Sequence, residues 1–262
     1  MIVWLRIALA GLVLAAVTLV LLPVQLVALR FDWKIRRCLP RLWHRFACRM
    51  IGLRVTVHGV PEKSRPLLIA ANHASWKDIL ALGSVADVAY VAKAEVRDWP
   101  VFGILARLQA TIFVTREEKR RAGDQVDEIA QRLAGGEIVV LFPEGTTSDG
   151  NRLLEIKTSL FGAAASAVPH APEGVVHVQP VSIAYTGIHG MAMGRYHRPI
   201  AAWPGDITLL PHLLGILREG AVDVEIDFGE RVEYRRDSNR KAVAREIEAR
   251  IRAMLSSRLR GR

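Results

Sequence analysis

The first fifty residues and the rest of the chain differ in how apolar and polar positions alternate. From Ile7 to Leu29 no residue is charged, and this run is long enough to cross a bilayer, for which about 20 residues suffice. A secretory signal peptide has a shorter apolar region of about 7–15 residues and then a small-residue cleavage site, whereas LVALRF follows here. The pattern predicts a membrane anchor over residues 1–50.

Pro23 and the arginine-rich segment beyond it bear on the shape of this anchor. Proline removes a backbone donor and kinks a helix, so we expect the apolar run to bend at Pro23 and to return as a second, basic amphipathic helix. Trp33 and Trp43 favour a position of that helix at the membrane interface over a solvated basic linker. A straight span and a hairpin in one leaflet both fit the pattern. In either case the positive-inside rule places the following domain in the cytoplasm, at the inner membrane.

Beyond Gly52, short β-branched runs alternate with segments of helical period, which is typical of an α/β domain. The pattern predicts a mixed, largely parallel sheet flanked by helices, in one domain over residues 51–262. Strands are predicted at 54–59, 66–72, 88–93, 111–116, 137–145, 176–185 and 222–230. Helices are predicted at 76–82, 101–108, 121–133, 159–168 and 238–259, the last with Ser238 as its cap.

Composition narrows the class of partner. The chain is 51% hydrophobic and carries a formal charge of +10, which draws it to an anionic lipid surface or to nucleic acid. Much of the basic excess lies beside the apolar run, and aromatic residues make up only 6% with no base-stacking pattern, so we expect a membrane and no nucleic acid. Cys38 and Cys48 form neither a disulfide framework nor a metal-binding pair, which favours a reducing compartment.

The segment AANHASWKDIL, residues 70–80, is the first that carries chemistry. His73 follows a predicted strand, and ligands bind at the carboxyl ends of strands in open α/β sheets. Asp78 comes five residues later, where its carboxylate can orient the imidazole as a general base. Ser75 and Asp78 equally match a capping box, in which Asp78 serves only the helix start.

The segment LFPEGTTSDGNR, residues 141–152, is the second. Backbone amides near Gly145 and the hydroxyl of Thr146 offer a cradle for an anionic oxygen. Gly145 and Gly150 have the spacing of a nucleotide P-loop, but Asn151 and Arg152 replace its lysine and hydroxyl residue, which argues against a nucleotide. An ordinary Asp-Gly turn fits the same spacing.

Three cations follow predicted strands or the glycine loop: Lys93, Arg116 and Lys157. Each alone is typical of a solvated surface charge. Together at one sheet edge they would form a positive rim for a phosphorylated head group or for the phosphopantetheine of an acyl carrier. The motifs G-x-S-x-G, H-E-x-x-H and G-x-G-x-x-G do not occur, so neither a metal nor a cofactor is predicted.

Four segments in this order resemble the glycerophospholipid acyltransferase family, over roughly residues 50–190: NHASWKD, TIFVTR, FPEGT and VQPVSI. The resemblance implies an O-acyltransferase in which His73, oriented by Asp78, deprotonates the hydroxyl of a lysophospholipid. That oxygen attacks the thioester of acyl-ACP or acyl-CoA without an acyl-enzyme. The resemblance also implies that Arg116, Glu144 and Gly145 bind the acceptor.

One departure from the family pattern concerns the acceptor. The family usually has arginine after FPEGT, where this chain has Thr147, and threonine does not replace a bidentate phosphate ligand. Either Arg152 or Lys157 compensates, or the acceptor is not a phosphomonoester. The stretch from Glu144 with a later AWPGDITLLPHL looks more like the branch that acylates lyso-ornithine lipid. We expect 1-acyl-sn-glycerol-3-phosphate first, as the general family acceptor, lyso-ornithine lipid second, and a non-catalytic lipid-binding membrane protein third.

Overall fold

A computed structural model of the chain describes residues 1–115, 122–205 and 207–261, without the side chains of residues 122–125 and 160. Within these ranges the helices are α1 Ile2–Arg30, α2 Ile35–Ile51, α3 Lys77–Val85, α4 Phe102–Leu108, α5 Ala122–Ala134, α6 Gly162–Ala167, α7 Arg198–Ala201, α8 Leu209–Glu219 and α9 Arg240–Leu259. The strands are β1 Leu53–His58, β2 Leu67–Ala71, β3 Val88–Lys93, β4 Ile112–Val114, β5 Ile138–Leu141, β6 Val176–Ile188, β7 Met191–Ala192, β8 Val222–Phe228 and β9 Val232–Tyr234.

The strands form one mixed sheet in the order β1-β8-β6-β2-β5-β3-β4, with β7 and β9 also paired to β6. From β6 to β4 the neighbouring strands are parallel, while β8 runs antiparallel to β6 and β1 runs parallel to β8. The predicted fold class, a largely parallel mixed sheet flanked by helices, is confirmed. Each of the seven predicted strands is present.

The central strand β2 is buried on both faces. Leu67 and Ile69 pack into a core that includes residues of α2 and α3, whereas Leu68 and Ala70 pack into a second core with residues of α5, α6 and α9. A strand covered on both sides has no polar face, which explains why LLIAA is a continuous apolar run rather than an alternating one. The loop after β2 therefore starts from a rigid base.

Pro180 lies inside the long strand β6, although proline cannot donate to a strand ladder. On one side β6 pairs with β9 up to Val178 and with β8 from Val181, so Pro180 falls where the partner changes. The side chain of Gln179 fills the same gap, since its Nε2 donates to the carbonyls of Val60 and Gly229. The proline thus faces a position that needs no strand donor.

The predicted bend at Pro23 is wrong. Helix α1 continues through Pro23 to Arg30, and the reversal comes at Asp32, whose φ of 52° is left-handed. One proline removes a single helical hydrogen bond, whereas reversing the chain requires a residue outside the helical region. The second helix predicted after the bend is α2. By length and composition α1 is able to cross a membrane, and its most apolar window is unburied.

Other differences concern helix ends and short elements. Asn239 rather than Ser238 caps α9, because its Oδ1 accepts hydrogen bonds from the amides of Lys241 and Ala242, while Ser238 Oγ accepts one from the amide of Arg235. The predicted helix at 159–168 is a 3₁₀ turn, Thr158–Phe161, followed by α6. The elements α7, α8, β7 and β9 were not predicted.

Candidate active site

The side chain of Asn72 fixes the chain at the point where β2 ends. Its Nδ2 donates to the carbonyl of Ile183 at 2.9 Å, and its Oδ1 accepts from the amide of Ile183 at 2.7 Å. This pair of bonds continues the β2–β6 ladder by one step. The carbonyl of His73 then accepts from the amide of Ser148 at 2.9 Å. The imidazole is therefore carried by a loop anchored on both sides.

His73 and Asp78 are in direct contact. Nδ1 of His73 lies 2.8 Å from Oδ2 of Asp78, whose side chain is completely buried. Because a carboxylate only accepts hydrogen bonds, this contact places a proton on Nδ1 and leaves Nε2 able to accept one. The same Oδ2 accepts from the amides of Ala74 and Ser75 at 2.7 and 2.8 Å. Asp78 thus serves the helix start and the imidazole together, so the two sequence interpretations do not exclude each other.

An aromatic wall covers one face of the imidazole. The ring of Phe142 stacks on His73 with centroids 4.0 Å apart and an angle of 17°, and Tyr90 stacks behind Phe142. The His73 side chain is 19% exposed. The ring is therefore held in one orientation but remains reachable from solvent.

Glu144, predicted to bind substrate, is 2% exposed. Its Oε1 accepts from the amide of His73 at 2.6 Å and its Oε2 from the amide of Leu154 at 2.7 Å. Burial raises the pKa of Glu144 to about 7, while the two amide donors act in the opposite direction. The carboxyl group joins the loops that follow β2 and β5.

The glycine loop after β5 combines buried and exposed positions. Gly145 and Gly150 have φ values of 72° and 75°, in the left-handed region that favours glycine. Thr146 is exposed, whereas Thr147 is only 9% exposed. Oδ1 of Asp149 accepts from the amide of Asn151 at 3.0 Å, as in the ordinary turn considered above.

The predicted cationic rim is only partly located by the structure. Lys93 ends β3, two strands from β2, and is exposed, as are Arg152 and Lys157 beyond the glycine loop. The backbone amide of Lys157 donates to the carbonyl of Pro143 at 2.8 Å, which brings its segment beside the FPEGT motif. Arg116 lies outside the described residues. Phosphate binding by these cations stays a prediction.

Lys77 is a residue that the sequence pattern did not single out. It is 0% exposed, and its Nζ donates to the carbonyl of Ala201 at 2.5 Å and to Oγ of Ser75 at 3.1 Å. Burial lowers the pKa of Lys77 to about 7, which the nearby Asp78 carboxylate partly offsets. The amide of Trp203 also donates to the carbonyl of Ala74 at 2.6 Å, so the segment 201–203 is fastened to the His73 loop.

Arg198 was also missed. Its buried guanidinium donates from Nη1 to Oδ1 of Asn151 at 2.5 Å, from Nη2 to the carbonyl of Met193 at 2.8 Å and from Nε to the carbonyl of Tyr185 at 3.2 Å. One side chain thus ties the glycine loop to β6. A lone arginine in a polar stretch gives no sequence signal for such a role.

An imidazole oriented by a buried carboxylate at the carboxyl edge of an α/β sheet is an arrangement that general-base catalysis can use. The family model described as Acyltransferase matches residues 54–184. The chain is 69% identical over its full 262 residues to the lyso-ornithine lipid O-acyltransferase of Rhizobium meliloti (strain 1021), of which it covers 90%. It is 51% identical over 257 residues to the protein of the same name from Brucella abortus (strain 2308), covering 98% of this chain and 96% of that protein. The chain belongs to the glycerophospholipid acyltransferase family and is an acyltransferase.

A solved structure supports the fold. The crystal structure of the 1-acyl-sn-glycerophosphate (LPA) acyltransferase, PlsC, from Thermotoga maritima aligns with a TM-score of 0.66 over 99% of this chain and 98% of that one. At 23% identity this likeness shows the shared architecture alone.

Proposed function

We propose that this acyltransferase transfers a fatty acyl group to the hydroxyl of a lysolipid, with His73 as the general base and Asp78 as its orienting acid. The 2.8 Å contact between Nδ1 of His73 and Oδ2 of Asp78 carries the proposal. With Nδ1 engaged, Nε2 is the nitrogen that accepts the proton. The buried carboxylate then stabilises the imidazolium that forms.

The reaction balances without an acyl-enzyme. Nε2 of His73 takes the proton of the acceptor hydroxyl while the oxygen attacks the carbonyl carbon of an acyl thioester. The carbon–sulfur bond breaks as the ester forms, and the leaving thiolate takes the proton from the imidazolium. His73 returns to its neutral form, and the thiol of the acyl-carrier protein or coenzyme A departs.

The residues around the base have positioning and binding roles in this proposal. Glu144 holds the His73 loop through the two amides that it accepts from. The exposed Thr146 and the backbone at Gly145 face the acceptor. In this proposal Arg116 binds the acceptor, and the exposed cations Lys93, Arg152 and Lys157 attract a phosphorylated head group or the phosphopantetheine of the donor.

For the acceptor we place lyso-ornithine lipid ahead of 1-acyl-sn-glycerol-3-phosphate. The relatives at 69% and 51% identity bear the lyso-ornithine name. Thr147 supplies no cation next to the FPEGT motif and is nearly buried, which favours an acceptor without a phosphomonoester. The general family acceptor, 1-acyl-sn-glycerol-3-phosphate, stays as the second candidate.

The test is acyl transfer by purified protein in detergent micelles, with each acceptor offered in turn and with acyl-ACP and acyl-CoA as alternative donors. We expect His73→Ala to lower kcat by about 10²–10⁴-fold, the usual contribution of a general base. His58→Ala is the matched control, since Nε2 of His58 also lies 2.8 Å from a carboxylate, Glu225, but on β1 at the sheet's outer edge.

Two outcomes contradict the proposal. A His73→Ala protein that is as active as His58→Ala removes His73 from the chemistry. A wild-type protein that binds these lipids but transfers acyl groups to none of them favours the lipid-binding alternative. Preferential use of 1-acyl-sn-glycerol-3-phosphate reverses only the order of acceptors.

We further propose that residues 1–50 form the membrane anchor, lying in one leaflet on the cytoplasmic side of the inner membrane, and that residues 51–262 form the catalytic domain. Three contacts support this position of α1. Arg6 Nη2 donates to the carbonyl of Leu217 at 2.6 Å, and Gln25 Nε2 donates to that of Leu108 at 2.6 Å. Trp43 of α2 donates to Thr18 Oγ1 at 2.9 Å. The contacts of Arg6 and Gln25 with the domain lie about 28 Å apart along the helix, so α1 meets the domain near both of its ends, while Thr18 between them contacts α2.

Thiol labelling separates this arrangement from a span. In a protein with Cys38→Ser and Cys48→Ala, a single cysteine is placed at one of two exposed positions, by Ile2→Cys or Lys63→Cys. We expect a membrane-impermeant maleimide to label both from the cytoplasmic face of inside-out vesicles. Labelling of Ile2→Cys only from the opposite face indicates a transmembrane helix instead.

A further inference from the structure

Strand β6 extends beyond the end of β2 and carries Tyr185 behind the catalytic loop. The ladder between β2 and β6 ends at Val181, and Tyr185 lies four positions further, 1% exposed. Its hydroxyl donates to Oδ1 of Asp78 at 2.7 Å. In the parts of the chain that the structure describes, this phenol is the donor to Oδ1, whereas His73 and two amides donate to Oδ2.

We propose that Tyr185 is a positioning residue for acyl transfer, which fixes the Asp78 carboxylate so that Oδ2 faces Nδ1 of His73. This inference rests on the proposed function. A carboxylate shielded from water must have both oxygens satisfied by protein donors, and charge-assisted bonds of this kind are strong and directional. With donors on both oxygens, the carboxyl plane cannot rotate. Tyr185 of β6 therefore sets the orientation of the His73 imidazole through the Asp78 carboxylate.

The surroundings keep Tyr185 in place and protonated. Its carbonyl accepts from Nε of Arg198 at 3.2 Å, and Nζ of Lys77 lies 5.0 Å from the centre of its ring. Burial, together with the Asp78 carboxylate, raises the pKa of Tyr185 well above its ordinary value. The phenol is therefore a donor throughout the working pH range.

Other titratable groups face this cluster from the elements packed around it. They are Cys48 on α2, Lys77 on α3, Tyr90 on β3 and Glu144 after β5. Tyr90 offers the matched control, because it is equally buried but its hydroxyl donates to the carbonyl of Ile79 at 2.8 Å rather than to Asp78.

The experiment compares Tyr185→Phe with Tyr90→Phe in the acyl-transfer assay over a range of pH. Loss of one charge-assisted hydrogen bond on Asp78 should lower kcat of Tyr185→Phe by about 10–100-fold, with KM for both substrates within about twofold of wild type. The acidic limb of its kcat/KM profile should move to higher pH, because a carboxylate that lacks this donor keeps more negative charge for the His73 imidazolium and stabilises it. Tyr90→Phe keeps the ring that stacks on Phe142 and removes only the hydroxyl bonded to the carbonyl of Ile79, so kcat and the acidic limb should stay as in wild type.

A Tyr185→Phe protein with the kcat of Tyr90→Phe overturns the inference, and so does a fall in kcat with an unmoved acidic limb. If Tyr185→Phe unfolds at a lower temperature than Tyr90→Phe, Asp78→Asn/Tyr185→Phe is compared with Asp78→Asn. In the Asp78→Asn protein, we expect Tyr185→Phe to lower kcat by less than about threefold. If Tyr185→Phe lowers kcat by the same factor with and without Asp78→Asn, the inference is overturned. An active His73→Ala protein refutes the proposed function itself, while an inactive one beside an unaffected Tyr185→Phe refutes only the role of Tyr185.

Discussion

The backbone amide of His73 and Oε1 of Glu144 lie 2.6 Å apart, and this bond joins the loops that follow the neighbouring strands β2 and β5. Oε2 of the same carboxyl group accepts from the amide of Leu154. The glutamate of the FPEGT motif is therefore a link between two parts of the site. Its burial leaves little of it for a substrate to contact.

Glu144→Gln should weaken the link between the loops that follow β2 and β5 and so lower activity. Glutamine keeps the shape but turns one acceptor oxygen into a donor that faces an amide, so one buried amide loses its partner. We expect kcat to fall by about 10–100-fold with a smaller change in acceptor KM, measured by initial rates of acyl transfer. Glu155→Gln, at an exposed position of the following segment, is the control. A rise in acceptor KM without a change in kcat would instead favour direct acceptor binding by Glu144.

The buried Lys77 should make the unfolding free energy of the protein increase with pH above neutrality. Burial lowers its pKa in the folded state from 10.5 to about 7. Between these values the unfolded chain binds more protons than the folded one, so the contribution of Lys77 to stability increases as pH rises from 7 toward 10. Lys77→Met lacks this titration. We expect the difference in unfolding free energy between wild type and Lys77→Met to change in favour of the wild type over this range, measured by urea unfolding in detergent. A difference that stays constant with pH would contradict the assignment.

Even the conservative substitution of Arg198 by lysine should destabilise the protein. Its guanidinium reaches Asn151, Met193 and Tyr185 at once, and an ammonium group cannot span all three acceptors. We expect Arg198→Lys to lower the unfolding free energy by about 2–4 kcal/mol, since buried acceptors lose their donors. Arg195→Lys, three residues earlier and exposed, should have little effect. Equal melting temperatures for the two variants would show that the buried network adds nothing to stability.

The exposed leucines of α1 should govern membrane binding. Leu12 and Leu19 are 69% and 67% exposed, and nothing in the domain covers them in the described structure. We expect Leu12→Glu/Leu19→Glu to weaken binding to anionic vesicles by at least about tenfold, because carboxylates are costly in the hydrocarbon region. Val57→Glu, at an exposed position of β1, controls for a surface carboxylate. Co-sedimentation measures the bound fraction, and unchanged binding of the double variant would place another surface at the membrane.

The sequence predicts the sheet better than the connections around it. Strands rich in β-branched residues were recognised because their pattern is local, whereas β7 and β9 have two and three residues and carry no such pattern. Helix α8 was not predicted because Pro211 and Gly215 are poor helix formers. In the structure Pro211 lies in the first turn of α8, where proline is tolerated.

The same distinction applies within the site. The approach of His73 to Asp78 is a local event at a helix start and follows from a spacing of five residues. The partners Tyr185 and Asp78 lie 107 positions apart, and Lys77 and Ala201 lie 124 apart. No local pattern reports such contacts, and Lys77 looks in sequence like an ordinary surface cation.

The fastening of residues 201–203 to residues 74–77 limits how relatives can be recombined. A hybrid enzyme with its crossover anywhere between these segments would pair the His73 loop of one parent with residues 201–203 of the other. The carbonyl of Ala201 and the amide of Trp203 would then meet backbone and ammonium groups shaped by a different parent. A hybrid that is to keep both of these bonds therefore needs the two segments from one parent.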